Sequence, residues 1–366
     1  MDLGLSDEQA AVVELFGALA AKCSSPEIVR AHEALGFSPD LWAQLVAAGA
    51  PGMAVAAAHG GGGSGLLDLA LAVEQLGRAV APAPLVEHAV AARLLAAAGA
   101  PVPDGVVEGT SIATLALRPA AAGVARLVPA GAVAHHVVAL DGDRLVLASG
   151  EPPGAAVPNL GSMPLADRRL GAVAAEATVL ATGAEARALF DGALAEWRAL
   201  TAAALAGVGA AALDLACRYV TERHQFGVPI GSFQAIQHAL ADVAVGVDGA
   251  WLLARKAAWG LDRAGRPGPT PPAELAAMAF LFAAEQAQLA ATRALHYHGG
   301  YGFMEEYDPQ LLYRRAKGWA LVLDDPATEY GRIAAARYGP LGAGASAPGA
   351  GTPGAGTPGA GAPGAG

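Results

Sequence analysis

Two long runs rich in alanine and leucine meet at a short segment that a helix cannot cross, and this junction constrains the fold more than any other part of the sequence. The segment reads Phe226-Gly-Val-Pro-Ile-Gly231. Glycine and proline end one helix there, and Ser232 is a good N-cap for the next. The pattern therefore predicts a helix from residue 183 to about 221 and another from about 232 to 264, joined by a tight corner.

Three side chains at this corner are candidates for ligand binding. Arg223, Gln225 and Phe226 combine a fixed cation, an amide and an aromatic edge, which are the groups that can hold a phosphate and a ring together. An ordinary helix–helix corner with a solvated arginine would give the same spacing. The pattern alone therefore leaves both interpretations open.

The rest of the chain divides into regions that differ in composition and in hydrophobic pattern. Residues 1–110 are predicted to be helical, because Ser6 precedes two acidic residues and Ser38 precedes Pro39, both of which are typical of helix starts. Residues 181–341 return to helical patterns, with a further helix from about Ala273 to His298. Residues 342–366 are a glycine, alanine and proline tail that cannot bury enough surface to fold, so disorder is predicted there.

Residues 111–180 read as a small β domain. Three apolar runs broken by glycine, proline and aspartate predict strands: residues 112–117, 134–140 and 144–148. The turn Asp141-Gly-Asp143 predicts a hairpin between the last two.

Composition excludes several classes of function. The net charge of −10, without a basic stripe, argues against nucleic acid as a partner. Cys23 and Cys217 lie far apart inside helical patterns, which favours a reducing cytoplasm over a disulfide-bonded protein. The 54% apolar content comes mainly from alanine, so no membrane span is predicted. His296 and His298 have no acidic or cysteine neighbour at ligand spacing, so no metal site is predicted.

The last third of the chain resembles the flavin-dependent acyl-CoA dehydrogenases. The matching segments are Arg223-His-Gln-Phe-Gly-x-x-Ile-x-x-Phe-Gln-x-Ile-Gln-His238, His298-Gly-Gly-Tyr-Gly-Phe-Met-Glu-Glu-Tyr307 and Tyr313-Arg-Arg-Ala-Lys317. The first third agrees more loosely, in Leu5-Ser-Asp-Glu-Gln9 and Val73-Glu-Gln-Leu-Gly-Arg78. The resemblance implies a mainly α fold with three domains, in which a small central β domain separates an N-terminal helical domain from a C-terminal four-helix bundle.

The resemblance also implies a chemistry and a set of contacts. Members of this family remove two hydrogens from an acyl-CoA thioester with FAD, act as homo- or hetero-oligomers and commonly pass electrons to an electron-transfer flavoprotein. Arg198 falls where the family places an arginine by CoA. The corner and the Gly300 turn would contact FAD, with the corner reaching the flavin of a neighbouring subunit; the implied FAD contacts are Arg223, Gln225, Phe226, Ile230, Phe233, Gln234, His296 and Gly300.

The sequence departs from the family pattern in the β domain. Residues 115–123, Leu-Ala-Leu-Arg-Pro-Ala-Ala-Ala-Gly, replace the Thr-Glu-Pro and Gly-Ser-Asp run that contacts the flavin ring. The second ring contact, a tryptophan beside a threonine or serine, has no counterpart between Trp42 and Trp197.

The catalytic base is the other departure. The glutamate of the commonest family pattern falls on Leu323, which cannot take a proton. A one-residue slip makes Asp324 the candidate base, Glu196 is an alternative, and a chain without a base is the third. The first hypothesis is accordingly an active acyl-CoA dehydrogenase. The alternatives are a non-catalytic or half-catalytic subunit that completes the FAD site of a partner, and an enzyme of the same fold that acts on carrier-protein thioesters.

Overall fold

The computed structural model describes residues 4–171, 177–266 and 269–339. The tail predicted over residues 342–366 lies outside the described residues. Helices dominate, and their bounds are α1 (Asp7–Cys23), α2 (Pro26–Ala31), α3 (Pro39–Ala47), α4 (Leu66–Arg78), α5 (Leu85–Ala97), α6 (Gly183–Glu222), α7 (Gln234–Asp262), α8 (Pro272–His298), α9 (Pro309–Leu321) and α10 (Pro326–Tyr338).

The predicted starts of two N-terminal helices are confirmed by their caps. The Ser6 hydroxyl accepts a hydrogen bond from the Gln9 N–H, and the Gln9 side chain accepts one from the Ser6 N–H, which is a capping box. The Ser38 hydroxyl accepts the Leu41 N–H at the start of α3, with proline at the first helical position. These caps fix the direction of α1 and α3, which pack with α4 and α5 into the N-terminal helical layer.

A small sheet separates the two helical regions. Its order is β1-β3-β4-β6, built from β1 (Ala113–Leu115), β3 (His136–Asp141), β4 (Arg144–Ser149) and β6 (Thr178–Thr182). The pair β1–β3 is parallel and the other two pairs are antiparallel. A second, two-stranded sheet pairs β2 (Val124–Val128) with β5 (Ala166–Arg169).

The predicted hairpin is confirmed. Asp141 pairs with Arg144 at the end of β3 and β4, and Gly142 adopts a positive φ of 64° in the turn between them. Three further strands in the described part of this region, β2, β5 and β6, were not predicted. The mainly α architecture with a small central β domain agrees with the prediction.

The C-terminal bundle is assembled around α6, a 40-residue helix that packs on α4, α7, α8 and α9. Its buried residues are mostly alanine, so neighbouring helices approach closely. Gly207 lies at the crossing with α4, where an added β-carbon would collide with the carbonyl oxygen of Glu74. Glycine at position 207 therefore allows the close approach of α6 and α4.

The corner after α6 differs from the prediction in one respect. Ser232 does not cap α7; its hydroxyl donates to the Pro229 carbonyl inside a short 3₁₀ turn, and α7 begins at Gln234. The reason is a two-stranded hairpin, β7 (His224–Gln225) with β8 (Val228–Pro229), which extends the corner by a few residues.

Two helical segments of the described chain are long and apolar enough to cross a bilayer by length and composition, α6 and the stretch Pro272–Phe303. Most of the apolar window of each is buried against other parts of the chain. Both are therefore accounted for as core helices of the bundle.

Candidate functional site

A recess opens where the N-terminal helices, the β domain and the C-terminal bundle meet. It encloses about 720 Å³ of space, part of which is open to solvent. Its walls are mainly apolar and include Val73 and Leu76 of α4, the connection 80–84, Leu85–Glu87 of α5, the loop 162–164, Trp197, Thr201 and Ala204 of α6, and Arg315 and Trp319 of α9. A mainly apolar lining with a few polar groups is typical of a small-molecule site.

Glu87 places a titratable carboxyl group in this apolar wall. It is 8% exposed, and its burial raises the pKa of the carboxyl above its usual range. The Trp197 side chain, 1% exposed, lies close enough to the carboxyl to oppose that rise, yet its Nε1–H makes no hydrogen bond of normal geometry. The Glu87 carboxyl and the Trp197 indole are therefore two buried polar groups in the recess whose hydrogen bonding is incomplete.

A second polar group closes the recess from the α9 side. Glu33 accepts hydrogen bonds or ion pairs from Arg315 at 2.5 Å, from Arg314 at 2.8 Å and from the Ser162 hydroxyl at 2.5 Å. Burial opposes ionisation of Glu33, but the bonds from Arg315 and Ser162 outweigh it and lower the pKa of its carboxyl. Because these three partners come from α9 and from the β domain, Glu33 connects all three regions of the chain beside the recess.

The corner predicted to bind FAD is an exposed projection. Phe226 is 93% exposed and adopts a positive φ of 55°, and its ring makes an edge contact with Phe233 at 6.2 Å. The Arg223 carbonyl accepts the Ile230 N–H at 2.7 Å, which holds the hairpin closed. Within the described chain the Arg223 guanidinium has no ion-pair partner. A cation and a ring left free on a rigid hairpin are available to a ligand or to another subunit.

The other predicted FAD contacts lie at the same end of the bundle. Gln225 donates to the His224 carbonyl, and Gln234 begins α7 in an exposed position. His296 and Gly300 are exposed at the end of α8 and in the 3₁₀ turn Gly299–Phe303 that follows it.

A ring stack connects the corner to that turn. Tyr219, in the last turn of α6, stacks on His298 with ring centroids 3.9 Å apart. His298 directly precedes Gly299, and Tyr219 lies one helical turn before Arg223. This stack holds the end of α6, which leads into the Arg223 corner, against the end of α8, which leads into the Gly300 turn.

Arg198 lies in a buried ion pair. Its guanidinium donates to both carboxylate oxygens of Glu329 at 3.0 Å, and the two side chains are 13% and 3% exposed. The acidic residues nearer in sequence, Glu185 and Glu196, form no ion pair with Arg198. Glu196 instead pairs with Arg93 in a bidentate contact at 2.8 and 2.9 Å. The role of Arg198 at CoA stays a prediction.

The residues predicted near the catalytic base lie between α9 and α10. Leu323 is buried, whereas Asp324 is exposed, accepts the Asp325 N–H and lies 3.7 Å from Arg332. Asp325 caps α10 by accepting the Ala327 N–H, with Pro326 at the first helical position. The assignment of Asp324 as the base stays a prediction.

Glu87 is a candidate that sequence reasoning missed. The signal was present, because Glu87 is one of three polar residues on a mostly apolar α5, the others being His88 and Arg93. A charge on such a helix faces either a buried partner or a site.

The β domain of this chain is poorly suited to bind the flavin ring of FAD. The segment 115–123 lacks hydroxyl side chains, and the N–H groups of Ala116 and Ala120 donate to the carbonyls of Val138 and Leu140 inside the fold. It therefore offers no hydroxyl to a flavin ring. The exposed corner, in contrast, has a free cation and a free aromatic edge suited to a dinucleotide. The fit is good at the corner and poor in the β domain.

Comparison with known proteins was made by sequence and by fold. Residues 6–102 match the model of the acyl-CoA dehydrogenase N-terminal domain, and residues 187–322 match the acyl-CoA dehydrogenase C-terminal domain. The acyl-CoA dehydrogenase IpdE2 of Mycolicibacterium smegmatis is 33% identical over 340 residues, which are 90% of this chain and 99% of that protein.

Solved structures agree over the same extent. The ChsE4-ChsE5 complex from Mycobacterium tuberculosis superposes with a TM-score of 0.80 at 26% identity, covering 91% of this chain and 98% of that one. Butyryl-CoA dehydrogenase from Megasphaera elsdenii has the same fold, with a TM-score of 0.81 at 22% identity over 92% of this chain and all of that one. On both counts, the chain belongs to the acyl-CoA dehydrogenase family.

Proposed function

We propose that this chain is a cytoplasmic acyl-CoA dehydrogenase that removes one hydrogen from each of the α and β carbons of an acyl-CoA thioester. Family membership over nine tenths of the chain supports this reaction. The observation that carries the proposal is the apolar recess at the junction of the three regions, because abstraction of a weakly acidic α-proton requires a site from which water is excluded.

FAD is the cofactor of the proposal, and when bound it supplies the two-electron oxidant. Arg223, Gln225 and Phe226 are the residues of this chain best placed to hold it, since they project from the bundle and are exposed. Ile230, Phe233 and Gln234 flank them, and the Gly300 turn with His296 lies at the same end of the bundle.

A site of this kind is completed by a second subunit. The corner is exposed, and residues 115–123 of the β domain lack the hydroxyl side chains suited to a flavin ring. We therefore place FAD at an interface in a homo- or hetero-oligomer, with the corner of one subunit contributing to the site of its neighbour. The similarity to a two-component complex at 26% identity supports such an assembly. Reduced flavin would then be reoxidised by an electron-transfer flavoprotein.

The base of the reaction is proposed to be Asp324. It directly follows Leu323, which holds the position of the usual glutamate, and among the described residues its carboxylate contacts only the Asp325 N–H and, at 3.7 Å, Arg332. Its exposure in the single chain means that substrate or a second subunit must cover it during catalysis. Glu196 is less suited, because the bidentate contact with Arg93 occupies both of its oxygens.

The test is the flavin content of the purified protein and its response to substrate. We expect the protein, alone or co-expressed with a second acyl-CoA dehydrogenase subunit, to carry an absorbance band of oxidised flavin that a saturated acyl-CoA bleaches under anaerobic conditions. A protein that is colourless in both preparations would contradict the proposal. Colour that requires the partner but bleaches normally would support the interfacial site.

A further inference from the structure

Glu87, Trp197 and Thr201 converge on one part of the recess from two helices. Glu87 enters from the first turn of α5, and Trp197 and Thr201 lie one turn apart on the same face of α6. The exposed fractions of the three side chains are 8%, 1% and 5%. Three polar groups are thus buried together against a wall that is otherwise apolar.

Part of their hydrogen-bonding capacity is unused. In the described chain Glu87 has no ion-pair partner, and the Trp197 Nε1–H has no acceptor of normal geometry although it is fully buried. Arg315, at the α9 side of the same recess, also has one buried nitrogen, Nη1, without a partner. Buried polar groups are normally paired, and each unpaired one is unfavourable for folding.

The protein would be more stable with apolar residues in these places. A buried glutamate without a cation is unfavourable, and burial raises the pKa of this carboxyl because it disfavours the charged form. A neutral carboxyl both donates and accepts a hydrogen bond, and the indole N–H donates one. Together they match a neutral oxygen that can accept one bond and, if it is a hydroxyl, donate another.

We infer that the recess selects acyl thioesters that carry a neutral oxygen function, a hydroxyl or ketone, beyond the β carbon, and that Glu87 and Trp197 bind this oxygen. The inference rests on the proposed function, since it names the class of acyl group that the same site takes. Hydrophobic walls discriminate weakly between acyl chains, whereas a buried polar group left unpaired by the wrong substrate discriminates strongly.

The test compares two acyl-CoAs of equal length, hexanoyl-CoA and 5-oxohexanoyl-CoA, with 5-hydroxyhexanoyl-CoA as a third. The dissociation constant is measured by calorimetry on the flavin-loaded oligomer, and kcat/KM is measured separately. We expect wild-type protein to bind the oxygenated compounds at least about tenfold more tightly, the value of one hydrogen bond.

Three variants separate the polar contact from the shape of the pocket. Glu87→Leu should lose most of that preference while the protein unfolds at a higher denaturant concentration, because an unpaired polar group has been removed. Glu87→Gln keeps the size and both hydrogen-bonding roles, so it should retain the preference. Trp197→Phe keeps an aromatic ring but lacks the N–H, and should lose part of it.

The outcomes distinguish this inference from the function on which it rests. Equal affinity of wild type for hexanoyl-CoA and its oxygenated analogues, or a preference that survives both Glu87→Leu and Trp197→Phe, would overturn the inference alone; water would then satisfy the polar groups. If none of the three CoA thioesters binds, the proposed function itself fails and the inference with it.

Discussion

Gly207 on α6 lies so close to Gly77 on α4 that a β-carbon at position 207 would be 3.1 Å from the Gly77 carbonyl carbon and would collide with the Glu74 carbonyl oxygen. Gly77 is equally confined, because a β-carbon there would collide with the carbonyl oxygen of Ala204. The obstacles are backbone atoms, which cannot rotate away. This crossing sets the separation of α4 and α6, and both helices line the recess.

We therefore expect Gly207→Ala to lower the free energy of unfolding by about 1–3 kcal/mol, because overpacking outweighs the gain of roughly 1 kcal/mol in helix propensity. Gly192→Ala is the matched control, since Gly192 lies in the same helix and a β-carbon there would meet nothing within 4 Å. The control should be stabilised by about 0.5–1 kcal/mol. Urea denaturation measures both, and a Gly207→Ala variant as stable as the control would contradict the close approach.

The Arg198–Glu329 pair carries a second stability prediction. Arg198→Ala removes two hydrogen bonds to the buried Glu329 carboxylate but leaves its ion pair with Arg332, so the free energy of unfolding should fall by about 1.5–3 kcal/mol, the value of a hydrogen bond to a charged group. Arg126→Ala, which breaks the exposed pair with Asp167 at 2.6 Å, should cost no more than about 1 kcal/mol.

The same variant tests the predicted contact with CoA. If Arg198 belongs only to the buried pair, Arg198→Ala assayed well below its unfolding temperature should keep the KM of wild type. An Arg198→Ala protein of unchanged stability and raised KM would show instead that the arginine leaves Glu329 to bind the substrate.

The helical framework was predictable because its signals are local. Serine caps, proline at first helical positions and the Gly-Pro corner each act within a few residues. The strands β2, β5 and β6 were missed for a physical reason: β5 reads Ala-Asp-Arg-Arg and β6 is mostly exposed, so neither shows the apolar alternation that identifies a strand. Their pairing is decided by neighbours distant in sequence.

The candidate site likewise has one part that could be predicted from the sequence and one that could not. The corner at Arg223 is contiguous in sequence, and a motif was enough to find it. The recess is built from residues more than a hundred positions apart, such as Glu87 and Trp197, and the partner of Arg198 is 131 residues away. Such pairs follow from tertiary packing, which local patterns do not encode.

Substitution of Arg223 should weaken FAD binding without lowering the free energy of unfolding. Arg223→Ala should weaken FAD retention by about 1.5–3 kcal/mol, the value of a hydrogen bond to a charged group. Unfolding should change by less than about 0.5 kcal/mol, because the side chain is exposed. Flavin released on dialysis measures the first quantity and urea denaturation the second.

Arg187→Ala is the control for this experiment, since Arg187 is an exposed arginine at the opposite end of α6. It should retain flavin as wild type does. Equal retention by Arg223→Ala and Arg187→Ala would mean that the Arg223 guanidinium is merely solvated.

If Asp324 is the base, its substitution should stop reduction of the flavin by substrate while FAD stays bound. Asp324→Asn removes the proton acceptor and keeps the size of the side chain, so substrate should no longer bleach the flavin band while flavin content stays unchanged. Asp325→Asn is the control, because asparagine caps a helix as well as aspartate does and the α10 cap is preserved. Normal bleaching by Asp324→Asn would remove this residue from the mechanism.

His88 predicts how stability depends on pH. Its ring is fully buried and connects α5 to both neighbouring segments: Nδ1 accepts the Ala113 N–H at 3.1 Å, so Nε2 carries the hydrogen and donates to the Val106 carbonyl at 2.9 Å. In this neutral form both ring nitrogens have a hydrogen-bond partner. Protonation would place a hydrogen on Nδ1, which would then face the hydrogen of the Ala113 N–H. Burial accordingly lowers the pKa of His88 from 6.5 to about 4.

Between these two values the unfolded chain binds a proton that the folded chain does not. Stability is therefore fully present above about pH 6.5, falls as the pH drops towards about 4, and by then has lost about 3 kcal/mol from this residue. His88→Gln should lack this component, so the difference in unfolding free energy between wild type and variant should shrink from pH 7.5 to pH 4.5. His59→Gln changes an exposed histidine and should keep the wild-type slope. If His88→Gln shows that same slope, protonation of His88 is not what couples folding to pH, because the loss on acidification would then arise from groups that all three proteins share.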